Sequence, residues 1–208
     1  MKIIYIAGLY HSGSTMIDRL LAGNENIIGL GEIFKTYNDG PEELCTCGEI
    51  PSKCLFWSKF QDHNLQRLDK FYSEILAHFE DTFGDSAILV DSSKCSPFRL
   101  RGDDISRFHG LDFWSSNENT ELFVIHLTRD PRSWTASLVR RDKKYFEAGL
   151  TPRLRKFFQA DFFRLLQWYI SHKRITKYLQ LKNIQNVRIS YEQVCMDASV
   201  LNRKMQNS

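Results

Sequence analysis

The stretch of sequence that decides the fold is residues 2–15, KIIYIAGLYHSGST. Its first half, residues 2–7, is an apolar run rich in isoleucine, which is typical of a strand buried on both faces of a sheet. A glycine-containing turn follows, and apolar residues then recur at helical spacing from Met16 until Gly23. A strand, turn and helix in this order predict backbone N–H groups and a helix dipole that are directed at an anion.

Two further apolar runs predict strands at residues 87–90 and 122–127, and residues 187–190 (VRIS) predict a fourth strand. Apolar residues at helical spacing occupy residues 65–83 and 154–169. Strands that alternate with helices predict an α/β fold with a parallel central sheet flanked by helices. Ligands of such sheets bind beyond the carboxyl ends of the strands, and all four predicted strand ends carry polar side chains.

The remaining stretches are less regular. Residues 39–58 contain glycine, proline and three of the cysteines, and are interpreted as an excursion from the core. Residues 96–120 show no clear period and are predicted to be mostly irregular. The tail from Gln193 is predicted to be helical, and Pro131 is expected in the first turn of the helix after the third strand.

Composition limits the classes of function. The chain has 208 residues, 42% of them hydrophobic and 25% charged, which fits one globular domain. A net charge of +3 suits an anionic small ligand but lacks the excess of a nucleic-acid binder. No apolar run approaches the roughly 18 residues of a membrane span, and Met1–Gly8 is too short for a signal peptide. We therefore expect a soluble, cytoplasmic protein of undetermined oligomeric state.

Five cysteines, an odd number, indicate a reducing compartment rather than a disulfide framework. Three of them cluster at Cys45, Cys47 and Cys54. Zinc usually takes four ligands, and nothing in the sequence selects His63 or Cys95 as the fourth. The sequence therefore favours a loop with free thiols, and no metal is expected.

The glycine turn matches the spacing of the nucleotide-binding loop G-x-x-x-x-G-K-[ST], except that Ser14 stands in the place of the lysine. That lysine binds the terminal phosphates of ATP and GTP, so its replacement argues against those nucleotides. A magnesium-dependent kinase remains an alternative, with Asp91 as the metal-binding carboxylate at the end of a strand. A plain strand-to-helix turn capped by serine is the structural alternative.

The loop resembles the 5′-phosphosulfate-binding loop of the sulfotransferases that use 3′-phosphoadenosine 5′-phosphosulfate (PAPS). In that family a basic residue precedes Ser-Gly-Thr-Thr or a close variant, and here His11 takes the basic position. The resemblance implies that His11 and the following Ser12, Gly13, Ser14 and Thr15 bind the cofactor.

A second resemblance lies at residues 124–137, VIHLTRDPRSWTAS. It is similar to the family's 3′-phosphate motif, which implies that Arg129 and Ser137 bind that phosphate. Arginine suits this role because its guanidinium gives two parallel charge-assisted hydrogen bonds. Tyr191-Glu192 resembles the Tyr-Glu that borders the adenine pocket, although a core aromatic residue would also fit at the position of Tyr191.

Two segments resemble catalytic parts of the family. The Gly-Glu that ends in Glu32 resembles that of protein-tyrosine and some bacterial carbohydrate sulfotransferases, and implies that Glu32 is the general base, with a pKa raised by partial burial. The alternative is a surface or helix-capping glutamate. The Asp-Ser-Ser-Lys that ends in Lys94 resembles that of many bacterial members, and implies a catalytic cation alongside His11. The alternative is a solvated loop lysine.

Together these resemblances imply a P-loop-like sulfotransferase fold in one domain, residues 1–208. The implied reaction moves a sulfuryl group from PAPS to a hydroxyl of a small molecule, glycan or lipid and releases 3′-phosphoadenosine 5′-phosphate (PAP). The family's Arg-Lys-Gly lid segment is expected to be absent after Tyr191-Glu192. A member of the fold that binds PAPS or PAP without turnover is a further alternative.

Overall fold

The structure is a computed structural model, and it describes residues 1–39, 45, 47–60, 67–95, 108, 110–147 and 161–206. Five strands are described: β1 (Lys2–Ala7), β2 (Ile27–Gly29), β3 (Ile88–Asp91), β4 (Glu121–Thr128) and β5 (Asn186–Ser190). The described helices are α1 (Ser14–Leu21), α2 (Ile33–Asp39), α3 (Leu68–Phe83), α4 (Gly110–Ser116), α5 (Pro131–Glu147), α6 (Asp161–Leu181), α7 (Tyr191–Met196) and α8 (Ser199–Gln206). Short 3₁₀ turns lie at Pro51–Lys53 and Trp57–Phe60.

The strands form one parallel sheet in the order β2-β3-β1-β4-β5. The predicted α/β fold with a parallel central sheet is therefore confirmed, as are its four predicted strands. The sequence analysis missed β2, because it is a three-residue edge strand that ends in glycine, a residue depleted in strands. Parallel pairing sets all five carboxyl ends at one edge of the sheet, since neighbouring strands run in the same direction.

Each face of the sheet buries its own core. Along β1, Ile3, Tyr5 and Ala7 point into the larger core, with α3 and α4. Ile4 and Ile6 point into the opposite core, with α1, α7 and α8. This alternation follows from the two-residue period of a strand. Residues 3–7 are all buried, because β1 lies in the middle of the sheet and helices cover both of its faces.

Two expectations about the helices need correction. The stretch predicted to be irregular contains α4, whose Trp114 is fully buried in the larger core. The helix predicted for residues 154–169 is confirmed from Asp161 onward, whereas Leu154 and Phe158 lie outside the described residues. Apolar residues occur on several sides of α6, so spacing did not identify its buried side. Ile175 and Leu179 are buried, while Phe162 is 69% exposed.

A buried histidine pair joins α6 to the sheet. His126 on β4 and His172 on α6 lie with Nε2 and Nδ1 2.9 Å apart. Burial, followed by the mutual repulsion of the two rings, lowers the pKa of His126 to about 3, and burial lowers that of His172 to about 4. Both rings are therefore neutral at pH 7, and each is the other's partner in the core. Across the described residues, no helix combines the length and apolar character needed to cross a membrane.

Candidate active site

The site lies along the carboxyl edge of the sheet. In sheet order, β2 leads to Glu32, β3 leads to Lys94, and β1 leads to the loop of residues 8–15. β4 then leads to Arg129, and β5 leads to Tyr191. The edge therefore brings together, in one row, residues from five separate parts of the chain.

The central loop has an unusual backbone that its sequence permits. Gly13, the residue before α1, has a φ of 93°, which is costly for a residue with a Cβ. A Cβ on Gly13 would also lie 2.2 Å from Cδ2 of Tyr191, so only glycine lets this ring rest on the loop. His11 has a φ of 63°, a conformation that is uncommon outside glycine and concentrates at functional sites.

The loop buries two hydroxyl groups without partners. Ser12 and Ser14 are 0% and 1% exposed, and neither Oγ makes a hydrogen bond with a described residue. Leaving a buried hydroxyl unpaired costs about 1–3 kcal/mol. The first N–H groups of α1 likewise have no carbonyl partner within the helix. A bound oxyanion would satisfy both sets of donors, whereas Thr15 faces solvent.

One face of α5 holds the loop. Trp134 donates from Nε1 to the carbonyl oxygen of Tyr10 at 2.6 Å. Two turns further on, NH1 of Arg141 lies 3.5 Å from Nε2 of His11. Ser137 is half-buried and lies between them on the same face, since residues three and four apart on a helix are neighbours. The predicted phosphate-binding serine is thus on the helix face that contacts the loop.

Arg129 is built into the other side of the loop. Its NH1 donates to the carbonyl oxygen of His11 at 2.8 Å, and its guanidinium lies 4.7 Å from the centre of the Tyr191 ring. Its carbonyl accepts a hydrogen bond from Nε1 of Trp168 at 3.0 Å. Its Nε is buried and has no hydrogen-bond partner among the described residues. Arg129 is therefore positioned by the protein and keeps a donor for a ligand.

Asp130 and Glu192, the acidic residues that follow Arg129 and Tyr191 in the sequence, have structural roles. Asp130 begins α5, where its Oδ1 accepts from the backbone N–H of Arg132 at 2.9 Å. The Arg132 side chain, which also binds Asp130, lowers the pKa of that carboxyl to about 2. Glu192 accepts from the backbone N–H of Asp130 at 3.0 Å. Within the Tyr-Glu pair, Tyr191 therefore contacts Arg129, whereas Glu192 binds the backbone at the start of α5.

At the opposite end of the edge, Glu32 and Lys94 form an ion pair through Oε1 and Nζ. Their side chains are 24% and 12% exposed, so the interpretation of Lys94 as a solvated loop lysine is wrong. Nζ of Lys94 also lies 5.5 Å from the centre of the Tyr10 ring, which belongs to the phosphate loop. The first turn of α2 is held by the hydroxyl of Ser93, which accepts from the N–H of Phe34 at 2.8 Å.

Asp91 lies beneath this pair and faces the core. Its Oδ1 accepts from the N–H of Ser93 at 2.8 Å, and its Oδ2 accepts from Nε1 of Trp114 at 2.9 Å. Burial raises the pKa of Asp91 to about 6. Both oxygens of this fully buried side chain are engaged within the protein. It therefore does not face the loop as the metal-binding aspartate of a kinase would.

Sequence reasoning missed one carboxylate near the site. Asp18 on α1 is fully buried under the end of β2, and a Cβ on Gly29 would fall 1.9 Å from its Oδ1. Burial raises the pKa of Asp18 to about 6, and neither carboxylate oxygen has a hydrogen-bond partner among the described residues. A signal was available, because Ser14, Asp18 and Leu21 fall at the four- and three-residue spacing of one buried helix stripe.

The fold resembles that of a solved sulfotransferase domain. A search of solved structures finds the protein described as the sulfotransferase domain from the curacin biosynthetic pathway, with a TM-score of 0.56. The match covers 99% of this chain and 74% of that one, at 18% sequence identity, and so concerns the fold. No family model matches the sequence, and no curated protein matches it.

Proposed function

We propose that the protein is a PAPS-dependent sulfotransferase that transfers a sulfuryl group to a hydroxyl of a small molecule, glycan or lipid. The observation that carries the proposal is the convergence of unsatisfied donors on the loop after β1. The hydroxyls of Ser12 and Ser14 and the Nε of Arg129 are buried beside the first turn of α1, and none has a hydrogen-bond partner in the described part of the chain. Such a set of donors fits an anion with several oxygens.

The residues present fit the two ends of this cofactor. The N–H groups and hydroxyls of residues 12–15 would hold the 5′-phosphosulfate, as the dipole of α1 favours negative charge there. Arg129 and Ser137 would hold the 3′-phosphate, and Tyr191 would border the adenine. When bound, PAPS supplies the activated sulfuryl group.

Glu32 and Lys94 would carry the chemistry of this chain. Glu32 accepts the proton of the acceptor hydroxyl, which makes that oxygen a better nucleophile. Lys94 contacts Glu32 and lies near the loop residue Tyr10, so an anion on the loop competes with Glu32 for its ammonium group. As Lys94 turns to that anion, the carboxylate of Glu32 loses its partner and becomes available as a base. His11 would hydrogen-bond the leaving phosphate, and the guanidinium of Arg141 beside it would add positive charge there.

A thermal-shift comparison tests the cofactor. PAP and magnesium-ADP are each added at saturating concentration, and unfolding is followed by fluorescence. A ligand at 100 times its Kd stabilises the folded state by about 2.7 kcal/mol. We expect a raised Tm with PAP alone. A raised Tm with magnesium-ADP alone would overturn the proposal in favour of the kinase alternative.

Transfer itself needs a second measurement. PAPS labelled with ³⁵S is incubated with the protein and a panel of phenols, sugars and lipid alcohols, and labelled products are separated. Labelled product that requires both the protein and an acceptor supports the proposal. If the protein binds PAP but forms no labelled product with any of these acceptor classes, it would instead be a non-catalytic member of the fold.

A further inference from the structure

Three thiols meet in the segment that follows α2 along the chain. The sulfur atoms of Cys45, Cys47 and Cys54 all lie within 4.8 Å of one another. Sγ of Cys54 is 3.4 Å from that of Cys45 and 3.8 Å from that of Cys47. Zinc–sulfur bonds of about 2.3 Å in a tetrahedron put neighbouring sulfurs about 3.8 Å apart. The cluster therefore already has the dimensions of a zinc–thiolate site.

The backbone holds these sulfurs in place. A turn brings Cys45 and Cys47 together, because the N–H of Gly48 donates to the carbonyl of Cys45 at 2.9 Å and Gly48 has a φ of 89°. The N–H of Cys45 donates in turn to the carbonyl of Glu49 at 2.9 Å. The turn thus presents both thiols on one side without depending on a metal.

The third thiol is anchored in the core. Cys54 is buried among Phe56, Trp57 and Phe60, which pack against α3. Its sulfur accepts a hydrogen bond from the backbone N–H of Trp57 at 3.5 Å. This backbone donor fixes the position of the sulfur, as the hydrogen-bonding neighbours of metal ligands do. All five cysteines are among the described residues, and none forms a disulfide.

We propose that Cys45, Cys47 and Cys54 bind one zinc ion as thiolates. The three thiol protons are released to solvent on binding. Cys47 is exposed, so water reaches the ion and completes the tetrahedron, as in sites with three protein ligands. The ion ties the turn at residues 45–49 to the core through Cys54. The sequence favoured free thiols because no fourth ligand was visible, but a bound water removes that objection.

The test measures metal in the full-length protein, purified without a metal-affinity step. We expect about one zinc per chain by elemental mass spectrometry, retained in Cys195→Ser and lost in Cys47→Ser and Cys54→Ser. Cys195 is the matched control because it is an exposed cysteine on α7, outside the cluster. Cys47 is exposed, so Cys47→Ser is expected to fold, and circular dichroism checks this.

Cobalt gives a second readout that does not depend on any variant. Titration of the metal-free wild-type protein with Co²⁺ is expected to produce the near-ultraviolet sulfur-to-cobalt charge-transfer absorption, abolished by added zinc. Three outcomes overturn the proposal. They are zinc retained in folded Cys47→Ser, a wild-type protein that binds neither ion while its thiols react freely, and a disulfide between two of the three cysteines seen by mass spectrometry under non-reducing conditions.

Discussion

The two ends of the sheet's carboxyl edge differ in how their charged side chains are paired. At the β4–β5 end, Arg129 is held by a backbone carbonyl and by the ring of Tyr191, and no described residue pairs with its Nε. At the β2–β3 end, Glu32 and Lys94 bind each other. The first end thus has a buried donor without a partner among the described residues, whereas the second end has two opposite charges that are paired. Binding and chemistry should therefore respond to different mutations.

The largest effect is expected from Glu32→Gln. Loss of the base should lower kcat for sulfuryl transfer by at least about 100-fold, while the Kd of PAP stays near that of the wild type. Glutamine keeps the shape of the side chain but takes no proton, so only the chemical step should be affected. The matched control is Glu25→Gln, an exposed glutamate outside the site. Unchanged turnover in Glu32→Gln would remove Glu32 as the base.

The next largest effect is expected from Asp18→Asn, because Asp18 lies against Gly29 at the end of β2. Its pKa is about 6 in the folded protein against about 3.8 in the unfolded chain, so the folded state binds more protons between these values. The contribution of Asp18 to stability is then greatest at low pH and is lost as the pH rises through about 6. Asp18→Asn removes this loss, so its free energy of unfolding relative to wild type should rise by up to about 3 kcal/mol from pH 4 to pH 7.

Urea unfolding across pH measures this difference. Asp91, which has a similarly raised pKa, is present in both proteins and largely cancels. The exposed Asp85→Asn serves as the control, and should give a profile parallel to that of wild type. A parallel profile for Asp18→Asn as well would show that Asp18 is not buried as a proton-binding group.

A smaller effect is expected at the anion-binding end. Arg129→Ala should weaken PAP by about 2 kcal/mol, roughly 30-fold in Kd, because charge-assisted hydrogen bonds to the 3′-phosphate are lost. Adenosine 5′-phosphosulfate lacks that phosphate and should lose much less. Calorimetry with both ligands makes the comparison, and exposed Arg140→Ala on α5 is the control. Equal losses for the two ligands would mean that Arg129 supports only the loop.

The smallest effect is expected from Trp134→Phe. This variant keeps an aromatic ring in the core but loses the hydrogen bond to Tyr10, at a cost of about 1 kcal/mol, or about fivefold in the Kd of PAP. Trp57→Phe, in the core beside the cysteines, is the control and should reduce stability without changing PAP affinity. If Trp134→Phe leaves the Kd of PAP unchanged, as the control does, α5 does not position the loop.

Local patterns were enough to predict most of the fold. Buried strands appear as apolar runs, and a glycine turn with hydroxyls after the first of them marks the anion loop. The sequence analysis missed β2 because its three residues end in Gly29, where the carboxylate of Asp18 takes the space of a Cβ. The sequence analysis missed α4 because seven residues are too few to show a helical period of apolar residues. The burial of this helix depends on contact with Tyr72 of α3.

The sequence by itself determined the strand–loop–helix unit at residues 2–21, since neighbouring residues set its hydrogen bonds and its glycine conformation. Only the tertiary structure decided which charges meet. Glu32 and Lys94 lie 62 residues apart, as do the N–H of Asp130 and the carboxylate of Glu192, and Arg129 reaches the carbonyl of His11 across 118 residues. Such contacts depend on the order of parallel strands, which is fixed by packing across the whole sheet and not by any local pattern.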